Sequence, residues 1–296
     1  MRGNGDSLGP QQTVIGADAG DVAPVRLPDA ARVFEARAER FAQLAKGHAA
    51  APFLELLSAI ARGQRDAIRE IRIPAGAHVL DGVPLDHARW ERDPSWRAML
   101  RVVLGACRGG ALPPAAREVI DDLDRAGAAQ LEALAADVLA GSPRDLASAP
   151  FVGAALQAYF TRLASGLDAK SIGAGRAECP VCGSPPVAAV VLGTERVRYV
   201  VCSLCAAEWH VTRSQCSICC SGAATSYYSV EGAAEGTQAE TCDACKAYLK
   251  VFDRQDAPAA EPLADDAASV VLDVLVGERG YRRAGVNLLA PLGEPA

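Results

Sequence analysis

The stretch of sequence that decides the fold starts at residue 179 and ends at residue 205: CPVCGSPPVAAVVLGTERVRYVVCSLC. A Cys-x-x-Cys pair stands at each end, and a run rich in β-branched residues lies between the two pairs. Two more pairs follow, CSIC at residues 216–219 and CDAC at residues 242–245. Two thiolates at this spacing lie in one tight turn and can reach the same tetrahedral ion. The pattern predicts metal-binding turns that are joined by β-hairpins.

The four pairs divide into two consecutive units of similar design. The first two pairs are separated by 19 residues and the last two by 22, enough in each case for one hairpin. In both units an alanine stands two residues, and a valine six residues, after the last cysteine. This repetition favours pairing in sequence order over a cross-braced arrangement. The favoured ligand sets are Cys179, Cys182, Cys202 and Cys205 for the first ion, and Cys216, Cys219, Cys242 and Cys245 for the second.

Metal binding is favoured over disulfide bonds for these cysteines. Nine of the ten cysteines lie between Cys179 and Cys245, and free thiols seldom accumulate in a reducing compartment without a role. The first 20 residues lack the apolar core of a signal peptide, and no segment approaches a membrane span of about 18–20 apolar residues. We therefore expect a cytoplasmic protein that holds two mononuclear ions, zinc or iron, each closed to water by four thiolates.

The charge of the chain weighs against nucleic acid as its partner. The net charge is −6 and the sequence pI is about 5.3. Between Arg176 and Arg254, seven basic residues stand against eight acidic ones, so the cysteine-rich part lacks the basic excess that phosphate binding needs. A zinc-ribbon protein that binds nucleic acid is the alternative. An enzyme that exchanges disulfides is less favoured, because the cysteine pairs adjoin expected strands rather than helix N-termini.

The rest of the chain divides into segments by composition. Residues 1–24 lack periodicity, which is typical of a disordered tail, whereas residues 25–170 show apolar residues at helical spacing and predict about six helices. Residues 171–214 and 215–257 are expected to form two tandem rubredoxin-like or zinc-ribbon modules. Residues 258–296 are expected to form a C-terminal helix and tail. The expected fold class is α+β, with an all-α N-terminal domain before the tandem modules.

Within these segments, individual strands and one helix face can be specified. Five short runs predict strands: PVAAVV, VRYVV, EWHVTR, SYYSV and AYLKVF. Helical spacing after Pro258 predicts a C-terminal helix with one buried apolar face. The residues expected on that face are Leu263, Ala267, Val270, Val271, Val274 and Leu275.

Three other residues belong to types that can bind metal. Cys220 directly follows Cys219 and could replace it as a ligand or act as a redox-active thiol, but an uncoordinated neighbour is the favoured interpretation. His210 follows Trp209 on an expected strand, and four thiolates already fill each site without it. Cys107 closes an apolar helix and is expected to be a small buried hydrophobe.

Several stretches resemble the formate dehydrogenase accessory protein (FdhE) family. In the cysteine-rich part they are CPVCGSPPVAAVV, RYVVCSLCAAEWHVTRSQC and ETCDACKAYLK. Outside it they are RLPDAARVFEARAERFAQLAKGH, GVPLDHARWERDPSW and the tail PLADDAASVVLDVLVGERGYRRAGVNLL. The resemblance extends from about residue 24 onward. Four cysteine pairs in this order, joined to EWH and to this tail, are a specific combination.

The resemblance implies an accessory protein needed for active respiratory formate dehydrogenase, not an enzyme. It implies two rubredoxin-like sites with the eight ligands named above and with iron rather than zinc. It also implies binding to the catalytic subunit, a molybdenum and iron-sulfur protein, in the cytoplasm before export by the twin-arginine route. The family pattern is not matched throughout, because only Cys182 is followed by glycine, whereas Ala206, Cys220 and Lys246 hold the equivalent places. Self-association is left open.

Overall fold

The computed structural model describes residues 22–74, 82–110, 112–174, 177–222, 225–230 and 234–290. A helical body comes first in the chain and a sheet-rich part follows it, which confirms the mixed α and β content predicted from the sequence. The helices of the body are α1 (Ala30–Leu44), α2 (Ala51–Glu70), α3 (Ser95–Arg108), α4 (Pro114–Arg125), α5 (Ala128–Leu139) and α6 (Ala149–Ala164). None of the helices in the described ranges is long and apolar enough to cross a bilayer.

Helix α6 is the centre of the helical body. It is apolar on most sides and packs against α2, α3 and α5. Gly153 on α6 lets the C-terminal tail approach, because a Cβ atom there would lie 2.8 Å from the carbonyl oxygen of Leu288. Gly63 on α2 has the same role toward α3, where a Cβ atom would lie 2.7 Å from the Cα atom of Val103. The body is therefore packed closely against itself and against the end of the chain.

One sheet contains every strand of the described residues. The strands are β1 (Val25–Arg26), β2 (Pro186–Leu192), β3 (Val197–Cys202), β4 (Glu208–His210), β5 (Thr225–Tyr228), β6 (Thr237–Cys242), β7 (Ala247–Asp253) and β8 (Arg282–Arg283). Their order is β1-β4-β3-β2-β7-β6-β5, and β8 pairs with β7. The pairs β2–β7 and β7–β8 are parallel, and the other pairs are antiparallel.

The β2–β7 pair joins the two cysteine-rich halves into one surface. Ala188 lies opposite Lys250 and Val191 lies opposite Asp253 in this parallel register. A buried ion pair between Arg198 and Glu240 crosses the same boundary. The cysteine spacing gave no sign of this continuity, because the two strands are about 60 residues apart in the chain and their pairing depends on long-range packing.

The strands differ from the expected ones at several points. β6 was not predicted, since its sequence TQAETC has few β-branched residues. The run EWHVTR is a strand only as far as His210, and SYYSV only as far as Tyr228. The short strands β1 and β8 were also missed. They bring two distant segments of the chain to the sheet, where β1 pairs with β4 and β8 pairs with β7.

The C-terminal helix is interrupted, so the predicted face is right for Leu263 and Ala267, which are buried, and wrong for Val271 and Val274. It forms two helices, α7 (Pro262–Ala268) and α8 (Val270–Gly277), separated at Ser269, whose hydroxyl donates to the carbonyl oxygen of Asp265 at 2.7 Å. The break changes the helical phase, so Val271 and Val274 are 63% and 55% exposed. Leu272 and Val276 are the residues of α8 that are buried.

The segment before α1 is described only in part. The predicted N-terminal tail covers residues 1–24, and residues 1–21 lie outside the described residues. The carbonyl oxygens of Ala23 and Pro24 accept hydrogen bonds from the Tyr199 hydroxyl and the His210 backbone amide, both at 3.0 Å. The last three residues of the predicted tail therefore run along the sheet.

Candidate metal centres

The first four-cysteine cluster is a compact, buried group of sulfurs. Its members are Cys179, Cys182, Cys202 and Cys205, whose Sγ atoms lie within 4.8 Å of one another. The Sγ–Sγ distance is 3.6 Å between Cys179 and Cys205 and 3.4 Å between Cys182 and Cys202. Four sulfurs at about 2.3 Å from an ion form a tetrahedron with edges of about 3.8 Å. The cluster therefore has the size that a thiolate-bound ion needs.

Tight turns hold these sulfurs in place. The amide of Gly183 donates to the carbonyl oxygen of Cys179, and the amide of Cys179 donates to that of Ser184, both at 2.9 Å. In the second turn, the amides of Leu204 and Cys205 donate to the Sγ atom of Cys202 at 3.4 Å each. Amide donors to sulfur stabilise the thiolate that a metal ion requires.

The second cluster repeats this geometry at the surface. Its members are Cys216, Cys219, Cys242 and Cys245, again within 4.8 Å of one another. The Sγ–Sγ distance is 3.9 Å from Cys216 to Cys245 and 3.7 Å from Cys219 to Cys242. The Ile218 amide donates to the Sγ atom of Cys216 at 3.4 Å. Cys219 is exposed and Cys245 is half-buried, so this cluster is open to solvent on one side.

All four turns share one backbone feature. The residue after the second cysteine has a positive φ in each of them: 76° at Gly183, 57° at Ala206, 57° at Cys220 and 58° at Lys246. Only glycine adopts this left-handed region without steric strain. The turns without glycine therefore keep the same backbone conformation as the turn at Gly183. In those three turns the conformation carries some backbone strain.

Burial makes the first cluster unable to carry several thiolates without a cation. It raises the pKa of Cys179 and of Cys205 well above the ordinary thiol value. Burial alone would also raise the pKa of Cys202, but hydrogen bonds from Cys179, Cys182 and Cys205 outweigh it and lower that pKa well below its usual value. Thiols that resist ionisation together become ligands when a cation compensates their charge.

The second cluster shows the same pattern more weakly. Burial raises the pKa of Cys216 to about 12 and also raises the pKa of Cys245. At Cys242, hydrogen bonds from the amides of Cys245 and Ala244 outweigh burial and lower the pKa. This donor set, four sulfurs with no oxygen ligand, fits a thiophilic ion such as zinc or iron. Each cluster could therefore hold one metal ion.

A loop of the helical body closes over the first cluster. The Leu85 amide donates to the carbonyl oxygen of Val181 at 2.8 Å, and the His87 amide donates to that of Cys182 at 3.0 Å. The Nδ1 atom of His87 lies 2.8 Å from the same Cys182 oxygen, which implies a proton on that nitrogen. His87 was not predicted as a site residue, although it lies in a segment, GVPLDHARWERDPSW, that carries the family resemblance.

Helix α6 holds the second turn of the same cluster. The side-chain amide of Gln157, which is 1% exposed, donates to the carbonyl oxygen of Ser203 at 2.6 Å. Its oxygen accepts hydrogen bonds from Gln64 at 2.9 Å and from Arg37 at 3.4 Å. Gln157 was also missed, because a single glutamine in an apolar helix gives no sequence signal of its partner. The first cluster is thus built into the contact between helices and sheet.

The remaining cysteines and the strand histidine lie outside both clusters. All ten cysteines are described, and none forms a disulfide. Cys220 is exposed and Cys107 is buried, and burial raises the pKa of Cys107 to about 12. His210 belongs to neither group of sulfurs; its ring packs edge-on against Tyr199.

Comparison with known proteins gives a consistent result along the chain. Residues 22–175 match the N-terminal region of FdhE, residues 178–213 its central domain and residues 214–290 its C-terminal domain. A curated FdhE homolog of Edwardsiella ictaluri (strain 93-146) is 34% identical over 282 residues, covering 90% of this chain and 91% of the relative. One from Yersinia pestis (strain Pestoides F) is 34% identical over 299 residues, covering 95% of each.

A solved structure agrees with these sequence matches. The crystal structure of the FdhE protein from Pseudomonas aeruginosa is 33% identical to this chain and superposes with a TM-score of 0.82. The superposition covers 91% of this chain and 99% of that one. Sequence identity and fold therefore agree over nearly the full length of both proteins. The chain belongs to the FdhE family.

Proposed function

We propose that this protein is an accessory factor for the assembly of respiratory formate dehydrogenase. In this proposal it binds the catalytic subunit of that enzyme in the cytoplasm and catalyses no reaction itself. Membership of the FdhE family supports an accessory role. The two clusters of four sulfurs carry the proposal, since each could hold a metal ion that would stabilise the half of the chain that contains it.

The eight cysteines of the two clusters are the proposed metal ligands, paired in sequence order as two tandem rubredoxin-like sites. The Sγ–Sγ distances of 3.4–3.9 Å support this assignment. We infer iron rather than zinc from the family resemblance, although four thiolates suit either ion. A site with four protein sulfurs leaves no position for a bound water, so the ions are not placed to activate water for hydrolysis.

The second cluster is the better candidate for a surface that senses redox conditions. Its thiols Cys219 and Cys245 reach solvent, where an oxidant or a client protein can approach them. The first cluster is enclosed by the helical body and serves mainly to join body and sheet. We therefore assign client binding to the sheet-rich half. The first cluster would support the fold of that half, and the second would form part of the surface that contacts the client.

Nucleic-acid binding is the alternative function that the experiment must distinguish from binding of the dehydrogenase subunit. It is less favoured because acidic residues slightly outnumber basic ones across the cysteine-rich part. Several basic residues of this sheet are also paired, among them Arg198 with Glu240 and Lys250 with Asp266. Such paired side chains are not available to neutralise phosphates.

The test is a pull-down of the formate dehydrogenase catalytic subunit by the full-length protein, with formate oxidation measured in a strain that lacks the accessory gene. We expect wild-type protein to retain the subunit and restore activity, and Cys179→Ser/Cys182→Ser to do neither. Cys220→Ser is the matched control, because it removes a cysteine outside both clusters. Equal recovery with the double variant would refute the role of the first cluster. Tight binding to DNA or RNA at physiological salt, without affinity for the subunit, would support the alternative.

A further inference from the structure

Strand β5 (Thr225–Tyr228) forms one edge of the sheet. Among the described residues only β6 pairs with it, so the other side of its backbone has no partner strand in this part of the chain. Tyr227 is 42% exposed at this edge. An unpaired edge strand can pair with another extended chain through backbone hydrogen bonds.

The opposite edge of the same sheet is protected against such pairing. Strand β1 has only two residues, lies between Pro24 and Pro28, and carries the charged Arg26. Short length, proline and charge are common protections of an edge strand. Strand β5 has the sequence TSYY, without charge, proline or glycine, and its aromatic and β-branched residues favour strand pairing. The sheet is therefore open to a further strand at β5 rather than at β1.

The register shows which backbone groups of β5 face outward. The Asp253 amide donates to the carbonyl oxygen of Gly236, just before β6, at 2.8 Å. Every second residue after Gly236 therefore faces β7, and the residues between them face β5. Thr241 is one of the latter and lies opposite Ser226, so the backbone of Ser226 faces β6. The N–H and C=O groups of Tyr227, the next residue, consequently point away from the sheet.

The open edge lies beside the second four-cysteine cluster. Thr225, at the start of β5, lies opposite Cys242, where β6 ends. Neighbouring strands of a sheet are about 4.8 Å apart, so a strand added to β5 would run about 10 Å from β6. This edge therefore belongs to the part of the surface to which client binding is assigned above.

The exposed charged side chains beside the two tyrosines of β5 are arginines. Arg213 is exposed and lines the same small pocket as Tyr227. The guanidinium carbon of Arg279, also exposed, lies 5.2 Å from the ring centre of Tyr228, and successive side chains of a strand point to opposite faces. Glu240 accepts a hydrogen bond from the Tyr227 hydroxyl, but it is buried and already in an ion pair. Both faces of the edge thus favour acidic side chains in an added strand.

We propose that β5 binds an extended, acidic segment of the client, which adds a strand to the sheet. The inference rests on the proposed function, which supplies the client. Backbone hydrogen bonds to Thr225 and Tyr227 give affinity, and Arg213 and Arg279 select acidic side chains. A second copy of this chain fits less well, because a twofold axis beside β5 would bring each arginine toward its own copy.

Tyr227→Pro tests the backbone pairing. Proline removes the outward N–H group and leaves the hydrogen bonds to β6 in place, and it is tolerated at such edge positions. Tyr227→Ala is the matched control, because it removes the same side chain and keeps the N–H group. Binding of the full-length, metal-loaded protein to the catalytic subunit of formate dehydrogenase is measured for both. The Kd of the proline variant should exceed that of the alanine variant by about tenfold, as expected for one or two lost hydrogen bonds.

Hydrogen exchange followed by mass spectrometry gives a second test on the wild-type protein, without any substitution. The outward amides of residues 225–228 should exchange quickly in the free protein and slowly in the complex with the subunit. Equal Kd values for the proline and alanine variants would overturn the inference. Protection confined to other regions, with no change at β5, would do the same, and in both cases client binding itself would stand.

Charge reversal tests the acidic character of the segment. Arg213→Glu combined with Arg279→Glu should weaken binding about threefold to tenfold, and less at high salt, because exposed pairs are screened. Arg125→Glu, which reverses an exposed charge on α4, should leave the Kd unchanged. Unchanged affinity in the double variant would show that the bound segment is not acidic.

Two further outcomes separate this inference from the proposed function. If the wild-type protein does not bind the subunit at all, the proposed function fails and the inference fails with it. Sedimentation of the protein alone tests the other occupant. If the wild-type protein is a dimer and Tyr227→Pro is a monomer, β5 pairs with a second copy and its assignment to the client is wrong.

Discussion

In the first cluster every cysteine is at most 1% exposed, whereas in the second Cys219 is exposed and Cys245 half-buried. The ligand type, the spacing and the backbone turns are the same in both. The helical body covers one cluster and leaves the other at the surface. The same Cys-x-x-Cys motif can thus be buried in one place and accessible to solvent in another. The packing of the helical body determines which of the two it is.

The two halves also differ in what holds them to the helices. The first half uses neutral hydrogen bonds from Leu85, His87 and Gln157 to the cysteine turns. The second half uses a buried group of charges, in which Lys250 lies 2.7 Å from Asp273 and Arg283 lies 2.6 Å from Asp266. This charged group connects β7 and β8 to α7 and α8. The second half is therefore stabilised by charges that lie outside its four-cysteine cluster.

The largest difference is expected between Cys179→Ser and Cys242→Ser. A four-cysteine site contributes on the order of 10 kcal/mol to folding, comparable to the whole stability of a domain. Loss of the first ion should destabilise the helical body as well as the sheet, because the helical body packs against that cluster. Loss of the second should leave the helical body folded. Thermal unfolding followed by circular dichroism, together with the metal content of each variant, distinguishes these two outcomes. An equal loss of helical structure in both variants would contradict the comparison.

The charged group should give the next largest effect. Asp266→Asn leaves the buried Lys250 and Arg283 short of one negative charge, and breaking a buried ion pair in this way costs about 3–5 kcal/mol. The free energy of unfolding measured in urea should fall by that amount while both metal ions stay bound. Asp122→Asn is the control, since its pair with Arg125 is exposed and should change stability by less than about 0.5 kcal/mol.

The same carboxylate predicts a dependence on pH. Burial would raise the pKa of Asp266, but Lys250 and Arg283 outweigh it and lower that pKa. A lowered folded-state pKa means that the stabilisation is complete above the unfolded value, about 3.9, and is lost as the pH falls through the folded value. Wild-type protein should therefore lose stability more steeply below about pH 4 than Asp266→Asn. Parallel profiles would show that the carboxylate does not titrate as described.

Gln157→Leu should have a smaller effect, confined to the contact between α6 and the first cluster. The substitution removes the side-chain donor to the carbonyl oxygen of Ser203 and one of the two acceptors of the Gln64 side-chain amide, which keeps its bond to the carbonyl oxygen of Ala154. Leaving a buried polar group unpaired costs about 1–3 kcal/mol. Urea unfolding should show this loss with unchanged metal content. Gln43→Leu on the outer side of α1 is the matched control and should leave the free energy of unfolding nearly unchanged. A similar loss of stability in this control would mean that the hydrogen bonds of Gln157 do not stabilise the contact.

Ala206→Gly should give the smallest change and the opposite sign. The alanine has φ of 57°, and glycine relieves such strain at some entropic cost, so a gain of about 0.5–1 kcal/mol is expected. Gly183→Ala, at the same place in the other turn of that cluster, should lose a similar amount. Unfolding in urea measures both. Two changes of the same sign would mean that the turns differ in backbone geometry.

Local sequence signals were sufficient for the turns but not for what surrounds them. The cysteine spacing placed all eight sulfurs in two groups, as the structure has them, because each turn is set by four neighbouring residues. The contacts of Gln157 and His87 and the β2–β7 pairing depend on residues far apart in the chain. Val271 and Val274 were predicted to be buried but are exposed, because the break at Ser269 changes the helical phase. No glycine or proline at that position signals the break in the sequence.

The central claim, that the two clusters differ in accessibility, is tested most directly by labelling cysteines in the native, metal-loaded protein. The protein is treated with a chelator and a thiol-alkylating reagent, and peptides are identified by mass spectrometry over time. We expect Cys220 to be labelled first, then the four cysteines of the second cluster. Those of the first should react only at the rate of global unfolding. Labelling of Cys179–Cys205 as fast as Cys216–Cys245 would contradict this account.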